Sequence, residues 1–306
     1  MEFHHVTVLR DEAAALLRGR PGMTLLDCTL GGGGHSEALL AAGARVVGID
    51  RDPRAVAAAA QRLSRFGEQF CAVNAAFSHA REILDELGVG AVDGVLLDLG
   101  VSSPQFDDPA RGFSFSLSGP LDMRMGADGE TARELIGRLS EQALADVLYA
   151  FGEERDSRRI ARAVKSLPEP PATTGQLADI VAAAIPRCRW PKRIHPATRT
   201  FQALRIAVNH ELDELDALLE AIPSLLAVGG RIGIISFHSL EDRRVKERFR
   251  TLEGRCTCPP GLPVCACGFR SDYRIVTPRP VEPSAAETEA NPRARSARLR
   301  GLERLR

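Results

Sequence analysis

Four consecutive glycines, residues 31–34, follow a short apolar run and lead directly into a helical pattern, and this feature most constrains the fold. Glycine adopts positive φ and lets the backbone approach a ligand closely, while the start of a helix offers free N–H groups. The succession of strand, glycine turn and helix therefore predicts a loop that binds a nucleotide-type cofactor.

The glycine spacing argues against a dinucleotide. A dinucleotide fingerprint has glycines at G-x-G-x-x-G, and after Gly31 and Gly33 the third position is Ser36. Asp27 ends the strand before the loop, where a carboxylate would repel a pyrophosphate but attract a sulfonium or an amino group. This arrangement resembles the first motif of S-adenosylmethionine-dependent methyltransferases, although Thr29 stands where that superfamily often has its first glycine.

Two further predicted strands end in an acid. Residues 45–50 end in Asp50, roughly twenty residues after the glycines, which is where a carboxylate holds ribose hydroxyls. Residues 92–100 carry Asp98 near their carboxyl end. Because ligands bind at the carboxyl edge of an open parallel sheet, both acids are candidate cofactor ligands.

Two other segments complete the expected order of elements. A third strand, at about residues 70–73, leads to Phe77, which is well placed to lie against an adenine ring. Residues 225–230 and 231–236 resemble the helix, Gly-Gly turn and fifth strand of methyltransferases. Helix caps and core packing explain each feature singly, but independent caps would not fall at the end of every strand.

Length and composition agree with an α/β enzyme. The 306 residues suffice for one large core and a second domain. Forty basic and 40 acidic residues give a formal net charge of zero, so the chain as a whole lacks the positive charge typical of nucleic-acid-binding proteins. No apolar run reaches the roughly 18 residues of a membrane span, the N-terminus is unlike a secretion signal, and the seven cysteines do not form a secreted disulfide framework. We therefore expect a cytoplasmic protein without membrane association.

About a hundred residues separate the fourth strand from the helix at residues 204–206. A crossover between two parallel strands needs far fewer, so the sequence predicts an insertion here. Residues 102–125 are rich in glycine and proline and indicate a long functional loop, whereas residues 131–185 have apolar residues at helical spacing. We expect a discontinuous methyltransferase domain, 1–106 and 196–306, with an inserted loop and helical substrate-recognition domain at 107–195.

Basic residues are concentrated in three clusters that the zero net charge hides. They are Arg155, Arg158, Arg159, Arg162 and Lys165; Arg187, Arg189, Lys192, Arg193, His195 and Arg199; and Arg293, Arg295, Arg298, Arg300, Arg304 and Arg306. Any one of them fits a solvated helix face or tail. Three clusters beside a cofactor fold, with Trp190 inside one, favour an RNA substrate.

Seven longer blocks, at residues 98–105, 111–115, 119–125, 152–155, 195–205, 236–243 and 291–296, resemble the RsmH (MraW) family of small-subunit ribosomal RNA cytosine-N4 methyltransferases. The resemblance covers nearly the whole chain. It implies transfer of a methyl group from S-adenosylmethionine to the exocyclic N4 amine of a cytidine in the decoding region of 16S rRNA, in maturation of the 30S subunit. The family's cofactor contacts fall on Gly33, Gly34, His35, Asp50, Phe77, Asp98 and Gln105.

The group that accepts the amine proton stays open. Many amino-methyltransferases use an Asp/Asn-Pro-Pro-aromatic motif after the fourth strand, but residues 98–101 are Asp-Leu-Gly-Val. The candidates are Ser102, Ser103 and His238, which follow predicted strands; a histidine that caps a turn explains His238 equally well. The target base must leave its stack, and three aromatic residues are candidates to support it: Phe113, Phe115 and Trp190.

Two close cysteine pairs lie near the C-terminus. Cys256 and Cys258 precede a proline-rich stretch, and Cys265 and Cys267 follow it. Four thiolates would form a structural zinc site, because they leave no open position for catalysis. The alternative is a loop with reduced cysteines, since the pairs are closer than in zinc ribbons.

Two other functions remain open at this stage. The first is a methyltransferase for another acceptor, such as a protein or a small molecule. The second is a non-catalytic RNA-binding assembly factor that keeps the cofactor fold. The sequence also leaves open whether naked RNA or an assembled subunit is the substrate, and whether the protein is a monomer or a homodimer.

Overall fold

The computed structural model describes residues 7–192, 194–256, 258, 267 and 269–306. The chain divides into two compact units: the first consists of Met1–Gly100 and Glu214–Arg306, and the second is Val101–Asp213. Of the residues singled out above, Arg193 and Cys265 lie outside the described part.

A seven-stranded sheet is the centre of the first unit. Its strands are β1 (Thr24–Asp27), β2 (Arg45–Asp50), β3 (Phe70–Asn74), β4 (Val92–Asp98), β5 (Leu226–Ser236), β6 (Tyr273–Ile275) and β7 (Arg298–Arg304). The order is β3-β2-β1-β4-β5-β7-β6; β1 to β5 pair in parallel, and β7 is antiparallel to both its neighbours. The prediction of an α/β fold with a Rossmann-like sheet is confirmed.

The helices follow the chain in three groups. Before the second unit come α1 (Arg10–Leu17), α2 (Gly34–Ala41), α3 (Pro53–Leu63) and α4 (Ala80–Glu86). Next come α5 (Ser103–Asp107), α6 (Ala132–Arg138), α7 (Glu141–Gly152), α8 (Ser157–Lys165), α9 (Thr174–Ala184) and α10 (Thr198–Asn209), and then α11 (Glu211–Leu225), α12 (Ser239–Glu253) and α13 (Ala285–Ala290). None of the helices in the described ranges is long and apolar enough to cross a membrane.

The sheet buries apolar side chains on both faces. Leu26 and Val95 belong to one hydrophobic core, together with residues of α11 and α12, whereas their neighbours Leu25 and Leu96 belong to the other, with residues of α1 and α2. Successive side chains of a strand point to opposite faces. A strand covered on both faces therefore has a continuous apolar run, and this is why the strands were predictable.

The predicted Gly-Gly turn lies inside β5 rather than before it. The pairing with β4 changes from Val92 opposite Leu226 to Gly94 opposite Arg231, so β5 bulges between the two positions. Gly229 lies in this bulge with φ of +83°, a conformation that glycine adopts without steric cost.

The second unit is helical and has its own core. Buried in it are the apolar positions that the helical spacing indicated: Leu135, Leu144, Leu148, Ile160, Val164, Leu177 and Val181. The predicted insert, 107–195, falls within this unit, but the unit extends further at both ends. The reason on the C-terminal side is α10, which packs on α7 and buries Phe201 and Leu204 in the helical core.

The glycine- and proline-rich loop of this unit is fixed by buried polar contacts. The Arg111 guanidinium donates to the carbonyls of Arg124 and Met125 at 3.0 and 2.7 Å. The Asn209 side chain, at the end of α10, accepts from the Met125 N–H at 2.8 Å and donates to the Met123 carbonyl at 2.7 Å. These contacts satisfy backbone groups that no helix or strand pairs.

We expect Asn209→Ala to lower the free energy of unfolding by about 2 to 4 kcal/mol, because the backbone groups of Met123 and Met125 would be left buried without partners. Urea unfolding measures the loss, and limited proteolysis should show cleavage within residues 111–125. Gln142→Ala is the matched control, since that exposed amide bonds only the exposed Asp146 carboxylate, at 2.8 Å. A change of less than about 0.5 kcal/mol in Asn209→Ala, as in the control, would contradict this role.

Candidate cofactor-binding site

The glycine loop lies between the end of β1 and the start of α2. Gly31 and Gly33 have φ of +50° and +78°, which a residue with a side chain adopts only with strain. A Cβ atom at Gly34 would collide with the Thr7 hydroxyl, and one at Gly33 would lie 3.0 Å from Leu63. The loop therefore needs glycine for its own conformation and packing, and α2 begins directly behind it at Gly34.

Asp27 holds this loop from inside. Its side chain is fully buried; one carboxylate oxygen accepts from the Ser36 hydroxyl at 2.7 Å and the other from the Thr29 N–H at 3.2 Å. Burial raises the pKa of Asp27, although the nearby His35 and the Ser36 hydrogen bond oppose the rise. Asp27 thus fixes both ends of the loop, a role that the sequence pattern did not distinguish from direct contact with a cationic ligand.

Asp50 joins the loop to the end of β2. Its carboxylate accepts the N–H of Gly31 and the N–H of Asp52, both at 2.8 Å. Its backbone carbonyl accepts from the Asn74 side chain at 2.8 Å and from the Ala75 N–H at 3.1 Å. Burial raises the pKa of Asp50 to about 6, against the opposing effect of the two N–H donors. Each carboxylate oxygen has a further lone pair, which suits ribose hydroxyls.

Asp98 and His35 face each other at the end of β4. The Asp98 N–H donates to the Thr29 hydroxyl at 2.6 Å, which ties β4 to the glycine loop. His35 Nε2 lies 3.5 Å from Asp98 Oδ2. Within the described part of the chain, His35 Nε2 and Asp98 Oδ1 are buried and have no hydrogen-bond partner.

Buried polar atoms nearly always have a partner, so two orphaned atoms at one strand end indicate a place where a ligand supplies it. Acidic and imidazole groups beside a glycine loop suit a ligand with a cationic amino acid end and a ribose. The residues present therefore fit S-adenosylmethionine.

Phe77 begins a short 3₁₀ turn after β3. The residue is half-buried and packs at the margin of the sheet core. This is the placement that an adenine contact requires, and it is equally that of an ordinary core-margin residue.

Ser102, Ser103 and Gln105 belong to the second unit, at the start of α5. Gln105 is buried, and its side-chain oxygen accepts from the Ser102 N–H at 3.0 Å. Ser102 is the N-cap residue of α5, and its side chain faces the Gln105 N–H in a capping box. The buried Ser102 hydroxyl has no acceptor for its proton among the described residues.

His238 caps the N-terminus of α12. Its Nδ1 accepts from the Glu241 N–H at 3.4 Å, and the Glu241 carboxylate accepts from the N–H groups of Phe237 and His238 at 2.8 and 3.3 Å. The capping alternative for this histidine is therefore present in the structure. With Nδ1 as acceptor, the neutral imidazole carries its proton on Nε2.

The C-terminal basic cluster is largely used within the first unit. Arg300 makes a two-pronged ion pair with Asp242 at 2.6 and 3.1 Å. Partial burial raises the pKa of Asp242, but the hydrogen bonds and charges of its arginine partners outweigh this and lower it. Arg304 donates to the carbonyls of Pro223 and Leu226, near the end of α11. These arginines attach β7 to its surroundings, which sequence clustering alone did not reveal.

The α8 cluster is different, because part of it is unpaired. Lys165 donates to the Ile136 carbonyl at 2.7 Å, and Arg162 pairs with Glu141 at 3.5 Å. Arg155, Arg158 and Arg159 are exposed, and their guanidinium groups have no hydrogen bond or ion pair with other described residues. They line a groove together with Tyr149, which is 65 % exposed.

Tyr149 was not among the predicted residues. The available signal was an aromatic residue on the polar side of α7, close in sequence to three arginines. Of the predicted aromatic candidates, Phe113 is buried in the helical core. Phe115 is half-buried, and its ring centre lies 4.8 Å from the ring centre of the exposed His195. Trp190 donates to the Ile185 carbonyl, and the Arg187 guanidinium lies 5.5 Å from its ring centre.

The strand order with an antiparallel β7, the glycine loop after β1 and the acids at the ends of β2 and β4 together define the class of S-adenosylmethionine-dependent methyltransferases. A family model described as the MraW methylase family matches residues 2–305. The chain belongs to this family, and the predicted family resemblance is confirmed.

Known proteins are similar in sequence to this chain over its full length. Two proteins named Ribosomal RNA small subunit methyltransferase H, from Anaeromyxobacter dehalogenans and Myxococcus xanthus, are 59 % and 58 % identical to it; each match covers 100 % of this chain and 99 % of the relative. Among solved structures, a putative rRNA-methylase from Clostridium thermocellum matches 99 % of this chain and 98 % of its own with a TM-score of 0.44 and 11 % identity.

The raised pKa of Asp50 generates a prediction for cofactor binding. We expect the dissociation constant of S-adenosylhomocysteine to be constant above pH 7 and to rise about tenfold at pH 5, because protonation near pH 6 removes the charge that ribose hydroxyls bind. Isothermal titration calorimetry at several pH values measures this dependence.

Asp50→Asn should bind more weakly and lose this pH dependence between pH 5 and 7. Glu68→Gln, which changes an exposed acid of the same unit, should behave like the unchanged protein. The same tenfold rise in Asp50→Asn would assign the pH dependence to another group.

Proposed function

We propose that this protein transfers the methyl group of S-adenosylmethionine to the N4 amine of a cytidine in the decoding region of 16S rRNA, during small-subunit maturation in the cytoplasm. The observation that carries the proposal is the buried pair of unpartnered polar atoms, His35 Nε2 and Asp98 Oδ1, beside the glycine loop. Family membership over residues 2–305 supports the choice of ribosomal RNA.

S-adenosylmethionine supplies a methyl group on a positively charged sulfur. Gly33 and Gly34 allow close approach of the ligand, and Asp50 accepts hydrogen bonds from its ribose. Asp98 places a negative charge near the cationic end of the ligand. His35 offers its Nε2 as a second hydrogen-bonding atom beside Asp98. In the same proposal, Phe77 contacts the adenine and Gln105, on α5, completes the contacts of this ligand.

The amine requires an acceptor because the N4 lone pair is delocalised into the cytosine ring. A group that draws on the amine hydrogens turns the lone pair toward the methyl, so positioning contributes most of the rate. We propose Ser102 and Ser103 as the first candidates, since they lie at the start of α5, and the capping Ser102 hydroxyl keeps a second lone pair for the amine. His238 is the other candidate, but its Nδ1 already accepts the Glu241 N–H as a helix cap.

For the RNA substrate we propose the surface formed by Arg158 and Arg159 of α8 and by Arg155 in the turn before it. These guanidinium groups have no acidic partner within the described chain, so they can neutralise phosphates at no cost in internal ion pairs. The exposed Tyr149 ring in the same groove can stack on an unpaired base. Phosphate contacts position the RNA, whereas base contacts select the cytidine.

The decisive experiment is methyl transfer from labelled S-adenosylmethionine to 30S subunits that lack their own modification, followed by mass analysis of nucleosides. We expect N4-methylcytidine with the intact protein and a loss of at least about a hundredfold in rate with Asp98→Ala. Naked 16S rRNA in parallel reactions tests which form is the substrate.

Other outcomes separate the alternatives. Tight S-adenosylhomocysteine binding without label in RNA would refute the rRNA assignment and favour a protein or small-molecule acceptor. RNA binding that Asp98→Ala leaves unchanged, with no turnover by either protein, would favour a non-catalytic assembly factor.

The proposed RNA face generates a separate prediction. We expect the double substitution Arg158→Glu with Arg159→Glu to raise KM for 30S subunits about tenfold and leave kcat unchanged. The slope of log affinity against log salt concentration should become shallower by about two units, since two phosphate contacts are lost. Steady-state kinetics at several salt concentrations measure both.

Arg18→Glu with Arg20→Glu is the matched control, since it makes the same charge change at exposed positions of the first unit. S-adenosylhomocysteine affinity should be unaffected in both double variants. An equal rise in KM in the control would mean that overall charge, rather than the α8 face, attracts the RNA.

A further inference from the structure

The segment between α12 and β6 carries the cysteines that the methyltransferase reaction does not use. Cys256 and Cys258 follow the end of α12, and Cys267 precedes β6. The base of this excursion is closed by polar contacts: the Ser271 hydroxyl contacts the carbonyls of Glu253 and Tyr273, and the Glu253 carboxylate accepts from the Ile275 N–H at 2.8 Å. The two ends of the segment are therefore held close together.

We propose that these cysteines form a structural zinc site, a function beyond the methyl transfer proposed above. The Sγ atoms of Cys256, Cys258 and Cys267 all lie within 4.8 Å of one another, and those of Cys256 and Cys267 are 3.4 Å apart. Sulfurs on a tetrahedron with Zn–S bonds of about 2.3 Å lie about 3.8 Å apart. The three sulfurs are thus grouped at the scale of one face of such a tetrahedron.

Backbone N–H groups point at two of these sulfurs. The N–H of Cys258 donates to Cys256 Sγ at 3.4 Å, and the N–H of Cys267 donates to Cys258 Sγ at 3.2 Å. Such hydrogen bonds stabilise thiolates, which are the form that binds metal, and they orient the ligands. Arg255 and Arg270, which flank the cysteines in the sequence, add positive charge that offsets the charge of several thiolates.

The sequence contains a fourth thiol, Cys265, which forms the second close pair with Cys267 and lies outside the described residues. Soft thiolates without histidine or carboxylate favour zinc over magnesium, calcium or manganese. Four thiolates fill the coordination of zinc, which makes the site structural.

The described residues of this segment include one large apolar side chain, Phe269, which is 41 % exposed. A disulfide would use two sulfurs at about 2.05 Å and would not explain why a third lies beside them.

The test uses the full-length protein, purified without chelators or affinity tags that bind metal. Elemental analysis should find about one zinc per chain. After removal of zinc under reducing conditions, titration with Co²⁺ should produce the visible absorption of tetrahedral cobalt bound to thiolates. Competition with a chromogenic chelator gives the zinc affinity.

Cys256→Ser and Cys267→Ser should each weaken zinc binding about a hundredfold or more, because each removes a ligand. Cys188→Ser, at an exposed cysteine of the second unit, should change nothing. Cys256→His restores a zinc ligand and should recover part of the affinity even where the serine variant folds poorly. S-adenosylhomocysteine binding, measured in parallel, reports on the cofactor site independently.

Three results would overturn the proposal. The first is metal-free protein whose four thiols react freely and bind no added zinc. The second is iron with inorganic sulfide in place of zinc. The third is a disulfide among these cysteines in the freshly purified protein.

Discussion

The hydrogen bonds between the glycine loop and the ends of its two neighbouring strands are the constraint on which the cofactor site depends. Asp50 accepts the Gly31 N–H from one side, and the Thr29 hydroxyl accepts the Asp98 N–H from the other. The first bond, to a carboxylate, contributes about 1.5 to 3 kcal/mol, and the second, between neutral groups, about 0.5 to 1.5 kcal/mol. Together they hold a glycine-rich loop that is otherwise entropically costly to order. Asp50 and Asp98 consequently have fixed positions before a ligand arrives.

This preorganisation has a free-energy cost at the same place in the fold. Burial disfavours the charge on Asp50, and the Asp98 and His35 atoms that lack a partner in the described ranges each cost about 1 to 3 kcal/mol. A ligand that supplies those partners removes this free-energy cost, so ligand binding and the stability of the first unit are coupled. The elements that position the site therefore stabilise the fold less than a purely apolar edge would.

The sequence predicted the sheet well, and it predicted which acids lie at the carboxyl ends of the strands, because both signals are local. A strand buried on both faces has a continuous apolar run, and an acid that follows it lies at the carboxyl edge whatever the rest of the chain does. Asp50 and Asp98 were found on this basis. The catalytic and cofactor roles remain predictions, since they concern ligands rather than the chain itself.

Other features depend on residues far apart in the sequence and were not predictable. Arg300 looked like part of a basic tail, but its partner Asp242 lies 58 positions away in the sequence, on α12. The helix α10 was assigned to the methyltransferase domain because it follows the insert, yet Phe201 and Leu204 are buried with the helices of the second unit. In both cases a distant neighbour decides the role of a residue, and one sequence does not name that neighbour.

His238 shows how a single contact bears on the chemistry. Its Nδ1 accepts the Glu241 N–H, so a proton taken up by the neutral ring must go to Nδ1 and break the cap, at a cost of about 0.5 to 2 kcal/mol. The Glu241 carboxylate, 3.0 Å from Nε2, would stabilise the resulting cation. Capping and proton acceptance therefore compete for the same atom. Ser102 also caps a helix, α5, but a neutral hydroxyl oxygen has a second lone pair, so it can cap and still accept a hydrogen bond from the amine.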